Sequence, residues 1–171
     1  SIARYMIWDA VRGIDVLQSL SYVDGDRVGV SGCSGGGTLT AYIAAVDDRI
    51  KAAAPSCYIT SWQDQLKGTG PQDAEQQFPD QFLESFDHGD LIIAAAPKPY
   101  LILATTEDYF PIAGARRTFD DMKRLYDRFG AEDKIGLFVA RGGHGMGADT
   151  RAAVYSWMRK WLRNESGEIR P

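Results

Sequence analysis

An α/β fold, built on a parallel sheet with helices on both faces, is predicted by three observations. The strand-like segments IKAAAPS (50–56), YLILA (100–104) and IGLFVA (135–140) are continuously apolar, as strands buried on both faces must be. Segments of helical periodicity lie between and after them, most clearly over 114–129. Glycine, proline or aspartate bounds most of the runs.

In chain order, Ile7, Val11, Ile14, Leu17 and Leu20 recur at spacings of three and four, with Asp9, Arg12 and Asp15 between them. That pattern predicts an amphipathic helix over about 3–20. Asp24-Gly25-Asp26 is turn chemistry, and Arg27–Ser31 a short strand. After a run of glycines, the alanine-rich Thr38–Val46 reads as a helix closed by Asp47-Asp48, and Ile50–Ser56 as the second strand. Residues 59–89 hold Trp62, Gly68, Gly70, Pro71, Phe78 and Pro79 without clean periodicity, so a structured loop with short helices is expected there. Tyr100–Ala104 is the third strand. Gly114–Phe129 is a helix presenting Phe119, Met122, Leu125, Tyr126 and Phe129 on one face, and Ile135–Ala140 is the fourth strand. A last helix starts at about Asp149, read as its cap, and runs through Val154, Trp157, Met158, Trp161 and Leu162. Trp157 and Trp161 are expected in the core, and Asn164–Pro171 as a frayed tail.

The 171 residues fit a single domain, 44% hydrophobic and 25% charged, enough for a packed core. A formal net charge of -4 argues against nucleic acid as a main partner. No apolar run approaches the roughly 20 residues of a membrane span. Cys33 and Cys57 are too few for a disulfide scaffold; a bridge between them is geometrically conceivable, and two free buried thiols are the favoured reading. The chain opens on Ser1 with no leader, which assigns no compartment.

The chemistry begins at Gly32-Cys33-Ser34-Gly35-Gly36, a G-x-S-x-G placed after a strand and before a helix. In that setting both flanking glycines are expected to permit a sharp turn that holds Ser34 in a strained conformation. The Gly35 N–H would then face a developing oxyanion. Gly32 and Gly37 have the spacing of a phosphate loop, but Thr38 follows Gly37 directly and the required lysine is missing.

A serine needs a base, and the chain has two histidines. His144, in the Gly142–Gly145 loop after the fourth strand, is the candidate base; His88, in the irregular segment, is read as structural or pocket-lining. Asp108, directly after the third strand, is the candidate acid, with Glu107 as its adjacent alternative. Ser34, Asp108 and His144 fall in the order serine–acid–histidine at three strand ends.

With these residues the chain resembles the α/β-hydrolase superfamily, and within it the bacterial acetyl xylan esterase-like hydrolases near the dienelactone hydrolase and prolyl oligopeptidase branches. DRVGVSGCSGGGTLTAYIAAVDDRIKAAAPSCYITSW, GPQDAEQ, APKPYLILATTEDYFPIAGARRTF and GGHGMG carry the resemblance. It implies Ser34 as nucleophile, Asp108 as acid and His144 as base, an acyl-enzyme, an ester substrate such as an acylated carbohydrate, and no metal or organic cofactor. Cys33 before the serine also resembles glucuronoyl esterases, whose following arginine and Gly-Lys pair are missing here. Cys33, Trp62 and His88 are candidate pocket residues. Asp73 and Glu75 would bind sugar hydroxyls or, the favoured reading, hold their own loop. Arg116 and Arg117 are expected on a solvated helix face.

Two further functions stay open: a serine peptidase of the prolyl oligopeptidase type, and an interaction module with an incomplete site. The resemblance also implies about eight strands where four are found. The chain is therefore expected to be the C-terminal portion of a longer hydrolase, with a second oxyanion donor supplied from before Ser1. The Arg27–Ser31 edge would then pair with a companion segment or another copy.

Overall fold

The computed structural model describes residues 1–68, 72–77 and 85–167. Its helices are α1 (Ala3–Ser19), α2 (Gly35–Val46), α3 (Trp62–Gln65), α4 (His88–Ala95), α5 (Ile112–Arg128) and α6 (Ala148–Arg163). Its strands are β1 (Val28–Cys33), β2 (Ile50–Ser56), β3 (Tyr100–Glu107) and β4 (Ile135–Gly143), with 3-10 turns at Ala74–Gln76 and Glu132–Lys134.

The four apolar runs form one sheet in the order β1-β2-β3-β4, every pair parallel. Each crossover carries helix, as parallel neighbours require. β1 and β2 pair from Val28↔Ile50 to Cys33↔Ser56, and β3 and β4 from Tyr100↔Ile135 to Glu107↔Gly143. Between β2 and β3 the ladder is interrupted. Ala53 N donates to Pro99 O at 2.9 Å and Cys57 N to Leu103 O at 2.9 Å. The residue midway, Pro55, has no N–H to continue the series toward Leu101.

One face of the sheet packs on α2 and α5, with α4 against both helices and α1 against α2. Ile50, Ala53, Ile92, Tyr100, Ile102 and Tyr126 form the centre of that core. The other face is covered by α6, where Val154, Trp157 and Met158 meet Ala54, Leu101 and Leu103. Gly29 lets α6 close on β1, since a β-carbon there would lie 2.7 Å from Met158 Sδ.

Several boundaries and exposures differ from the sequence reading, each for a local reason. α2 begins at Gly35 rather than Thr38, so three glycines form its first turn. Packing against β1 and β2 overrides their low helix propensity. α4, in HGDLIIAA, was not foreseen; Asp87 caps it in a box with Asp90. α6 starts at Ala148, and its N-cap Gly147 offers no side chain, so Asp149 lies inside the first turn rather than capping it. Leu17 and Phe129 are 45% and 56% exposed. They stand at the ends of their helices, where the apolar stripe outruns the surface it covers. Trp161 is half-buried, its ring 4.4 Å from the Lys160 ammonium, rather than deep in the core. Arg117 is not merely solvated: it pairs with Asp64 of α3 and holds that carboxyl below its ordinary pKa. Cys33 and Cys57 are free thiols. Gly70, Pro71, Phe78, Pro79 and the last four residues of the tail lie outside the described residues.

Candidate active site

Ser34 caps α2 with φ 59° and ψ -121°, a conformation that L-residues occupy only under constraint. The constraint is visible on both sides. Its N–H donates to Ser56 O at 3.0 Å, and its carbonyl accepts from Thr38 N at 2.8 Å and Thr38 Oγ1 at 3.1 Å. Gly32 is required here, because a β-carbon on it would lie 2.5 Å from Gly36 O. Gly36 is not: nothing lies within 4 Å of a β-carbon there. The second sterically required glycine is Gly37, which abuts the Ser56 carbonyl, so the expectation for Gly36 moves one residue along. Gly35, first in the helix, has an N–H without an intrahelical acceptor, free to meet negative charge.

The candidate acid and base meet at the ends of the neighbouring strand pair. His144 Nδ1 stands 2.8 Å from Asp108 Oδ1. The Asp108 side chain is only 1% exposed and that of His144 21%. Asp108 also accepts from Thr105 Oγ1 at 3.1 Å and from Phe110 N at 3.2 Å, which fixes the carboxylate in one orientation. Glu107, the alternative, is exposed and lies in the β3–β4 register opposite Gly143. With the Nδ1 hydrogen bond directed to Asp108, the Nε2 lone pair remains to accept a proton. Gly142 and Gly145, at φ 114° and 152°, give the histidine loop its turn. Tyr109 stacks on the imidazole, centroids 4.2 Å apart and planes 23° inclined.

Cys57 joins the two halves. Its thiol donates to Gly145 O at 3.4 Å, one residue on from Ser56, which holds the Ser34 turn. Among the described residues no hydrogen bond joins Ser34 Oγ to His144, a contact that substrate binding commonly tightens. Cys57, Asp108 and His144 bring donor atoms within 4.8 Å of one another. A metal there would need the Cys57 thiolate, whose pKa is pushed up by the hydrogen bond with Cys33 and by burial. It would also displace the proton shared by Asp108 and His144, so the trio suits proton handling better than metal binding.

Two of the three candidate pocket residues are buried packing, the structural reading rather than the pocket-lining one. His88 is 1% exposed and accepts from Thr60 N at Nδ1, 2.9 Å away; burial pushes its pKa down to about 3. Trp62, 6% exposed, packs its ring edge on His88. Both are core, because α3 and α4 fold inward over the sheet. Cys33 remains partly exposed beside Ser34. Asp73 holds its own turn through a capping box with Gln76, as favoured. Glu75 differs: its Oε1 stands 3.1 Å from where a Gly35 β-carbon would lie, so its carboxylate faces the serine turn. Gln76 Nε2 donates to Thr38 Oγ1 at 2.9 Å and locks this turn against α2. Among the described residues, Tyr109, Gly37 and the link through Cys57 went unforeseen, and for Tyr109 its place next to the predicted acid was the available signal.

The sequence profile of the Prolyl oligopeptidase family matches residues 3–168. The chain belongs to this family. Among curated proteins, this family member is 28% identical over 159 residues to YtaP of Bacillus subtilis (strain 168), named as a hydrolase, covering 92% of this chain and 53% of that one. Among solved structures, the glucuronoyl esterase catalytic domain of Hypocrea jecorina superposes with a TM-score of 0.77 at 19% identity, over 94% of this chain and 51% of that one. A glucuronoyl esterase from Caldicellulosiruptor kristjansonii gives 0.76 at 20%, over 94% and 50%. Methylesterase BT1017 gives 0.77 at 26%, over 91% and 34%. The fold of this prolyl oligopeptidase family chain is thus a partial α/β-hydrolase fold. The chain spans about half the length of the curated relative it matches.

Proposed function

We propose that the protein is a serine hydrolase of carboxylic esters, acting through Ser34, Asp108 and His144, with acylated carbohydrates as substrates. The observation that carries this reading is the backbone of Ser34 at φ 59°, ψ -121°, strain for which no packing role is evident, at the strand ends where Asp108 and His144 pair. Ser34 Oγ attacks the ester carbonyl as His144 Nε2 takes its proton, and the Gly35 N–H faces the oxyanion. The imidazolium, stabilised by Asp108, returns the proton to the leaving alcohol. Water activated by the same imidazole then releases the acid and restores Ser34. The esterases among the structural neighbours support an ester substrate, and two of them are named for a sugar acid. The narrower acetyl xylan esterase-like assignment rests on the sequence resemblance.

Membership of the Prolyl oligopeptidase family favours a second reading, a peptidase using the same residues. A fluorophosphonate probe and two substrates separate the cases. Labelling at Ser34 with hydrolysis of p-nitrophenyl acetate supports the esterase, and turnover of a proline p-nitroanilide alone supports the peptidase. Ser34→Ala should remove labelling and several orders of magnitude of rate, and Asp108→Asn should be severe through the wrong imidazole tautomer. Absence of labelling in folded protein would sink both enzyme readings.

A further inference from the structure

Tyr109 has a place that the proposed chemistry leaves unexplained. It follows the acid directly, yet 47% of it is exposed, while the next residue, Phe110, is 4% exposed and lies deep in the core. One aromatic ring of the pair thus anchors the loop and the other faces outward. Tyr109 lies against the face of the imidazole, 4.2 Å between centroids, so a partly exposed aromatic ring borders the histidine that an ester must approach. In ester hydrolysis that group is defined by the mechanism. The histidine delivers its proton to the leaving oxygen, so the alcohol half of the ester lies within hydrogen-bond reach of Nε2. The carbonyl oxygen points the other way, to Gly35 at the head of α2.

We infer that Tyr109 selects the alcohol half of the substrate, presenting an aromatic surface to leaving groups that are cyclic with a flat, C–H-lined face, a pyranose ring above all. The inference rests on the esterase reading. Aromatic rings gain from offset contact with such a face through burial and dispersion, and a small acyclic alcohol reaches too little of the ring to profit.

The alternative role for Tyr109 is to hold the imidazole still, and the two-step mechanism separates the roles. After acylation the alcohol has gone, so a residue that reads the alcohol affects acylation only. A residue that steadies His144 affects both steps, since the same imidazole activates the water. The test compares Tyr109→Ala and Tyr109→Phe in the protein as the organism makes it. Acetates of ethanol, cyclohexanol and methyl glucoside supply kcat/KM, and the steady phase after a p-nitrophenyl acetate burst supplies the deacylation rate.

Tyr109→Ala should lower kcat/KM about threefold to tenfold more for the cyclohexyl and glucoside acetates than for ethyl acetate, and should slow deacylation no more than it slows ethyl acetate. Tyr109→Phe should behave as wild type. An equal loss on all three acetates with slower deacylation would overturn the inference in favour of imidazole support, and no change on any ester would overturn it outright. A wild-type protein whose Ser34 is never acylated would instead bring down the esterase reading, and this inference with it.

Discussion

Gly37 packs against the carbonyl oxygen of Ser56 so closely that no β-carbon fits between them, while Gly36 beside it faces open space. The two glycines therefore respond oppositely to the same change. Gly36→Ala should leave the fold intact and add up to about 1 kcal/mol of stability through helix propensity. Gly37→Ala must push α2 away from β2, at a cost of about 1–3 kcal/mol. Urea unfolding of both variants measures this, and equal stabilities would contradict the assignment.

His88 makes stability depend on pH. An ordinary imidazole titrates near 6.5, and burial lowers that of His88 to about 3. Between those values the unfolded chain holds a proton that the folded chain does not. Its contribution is thus fully present above about pH 6.5 and lost as pH falls toward 3, by about 1.4 kcal/mol per unit in the middle of that range. His88→Gln should be less stable at pH 7 but lose stability less steeply between pH 6 and pH 4. Parallel slopes in urea melts of the two proteins would rule this out.

Cys33 is the reactive thiol. Its interaction with the Cys57 side chain brings its pKa down to about 7, while Cys57 is 1% exposed and held protonated. Iodoacetamide should modify Cys33 with a half-maximal rate near pH 7, spare Cys57, and stop turnover by crowding Ser34. Cys33→Ser should resist inactivation. Mass spectrometry finding Cys57 alkylated first would refute the ordering.

Glu75 places a carboxylate beside Gly35, whose N–H would face the oxyanion in the proposed reaction, with no salt bridge to it among the described residues. At close range like charges oppose each other by roughly 1 kcal/mol or more. Glu75→Gln should raise kcat on p-nitrophenyl acetate severalfold, most clearly at low salt. A lower kcat would mean that the carboxylate supports the serine turn instead.

The fold was legible because β2 and β3 are buried on both faces and therefore apolar without alternation, β4 is partly buried along its apolar run, and α5 carries an unbroken stripe. The sharp turn at Ser34 was legible because glycine has few other reasons to cluster after a strand. What escaped the sequence depends on tertiary approach. Gly36 and Gly37 look alike until the Ser56 carbonyl arrives beside one of them. His88 and Trp62 sit in a polar, irregular segment that left structural and pocket-lining roles both open, and the inward fold of α3 and α4 decides for core. Asp73 and Glu75 are two residues apart in one motif, and a single 3-10 turn sends their side chains to different partners. Asp108 was separable from Glu107 only once the length of β3 was known.

Pro55 gives the molecule a line of weakness. The missing rung falls between β2 and β3, with the serine on one side and the acid and base on the other. An excursion that parts this line leaves both flanking strand pairs hydrogen-bonded while dismantling the arrangement that would perform the chemistry. Amides at the β2–β3 boundary should then exchange with solvent sooner than those within β3–β4. On warming or in dilute denaturant, activity should vanish while the helical and sheet signals are still those of the native protein.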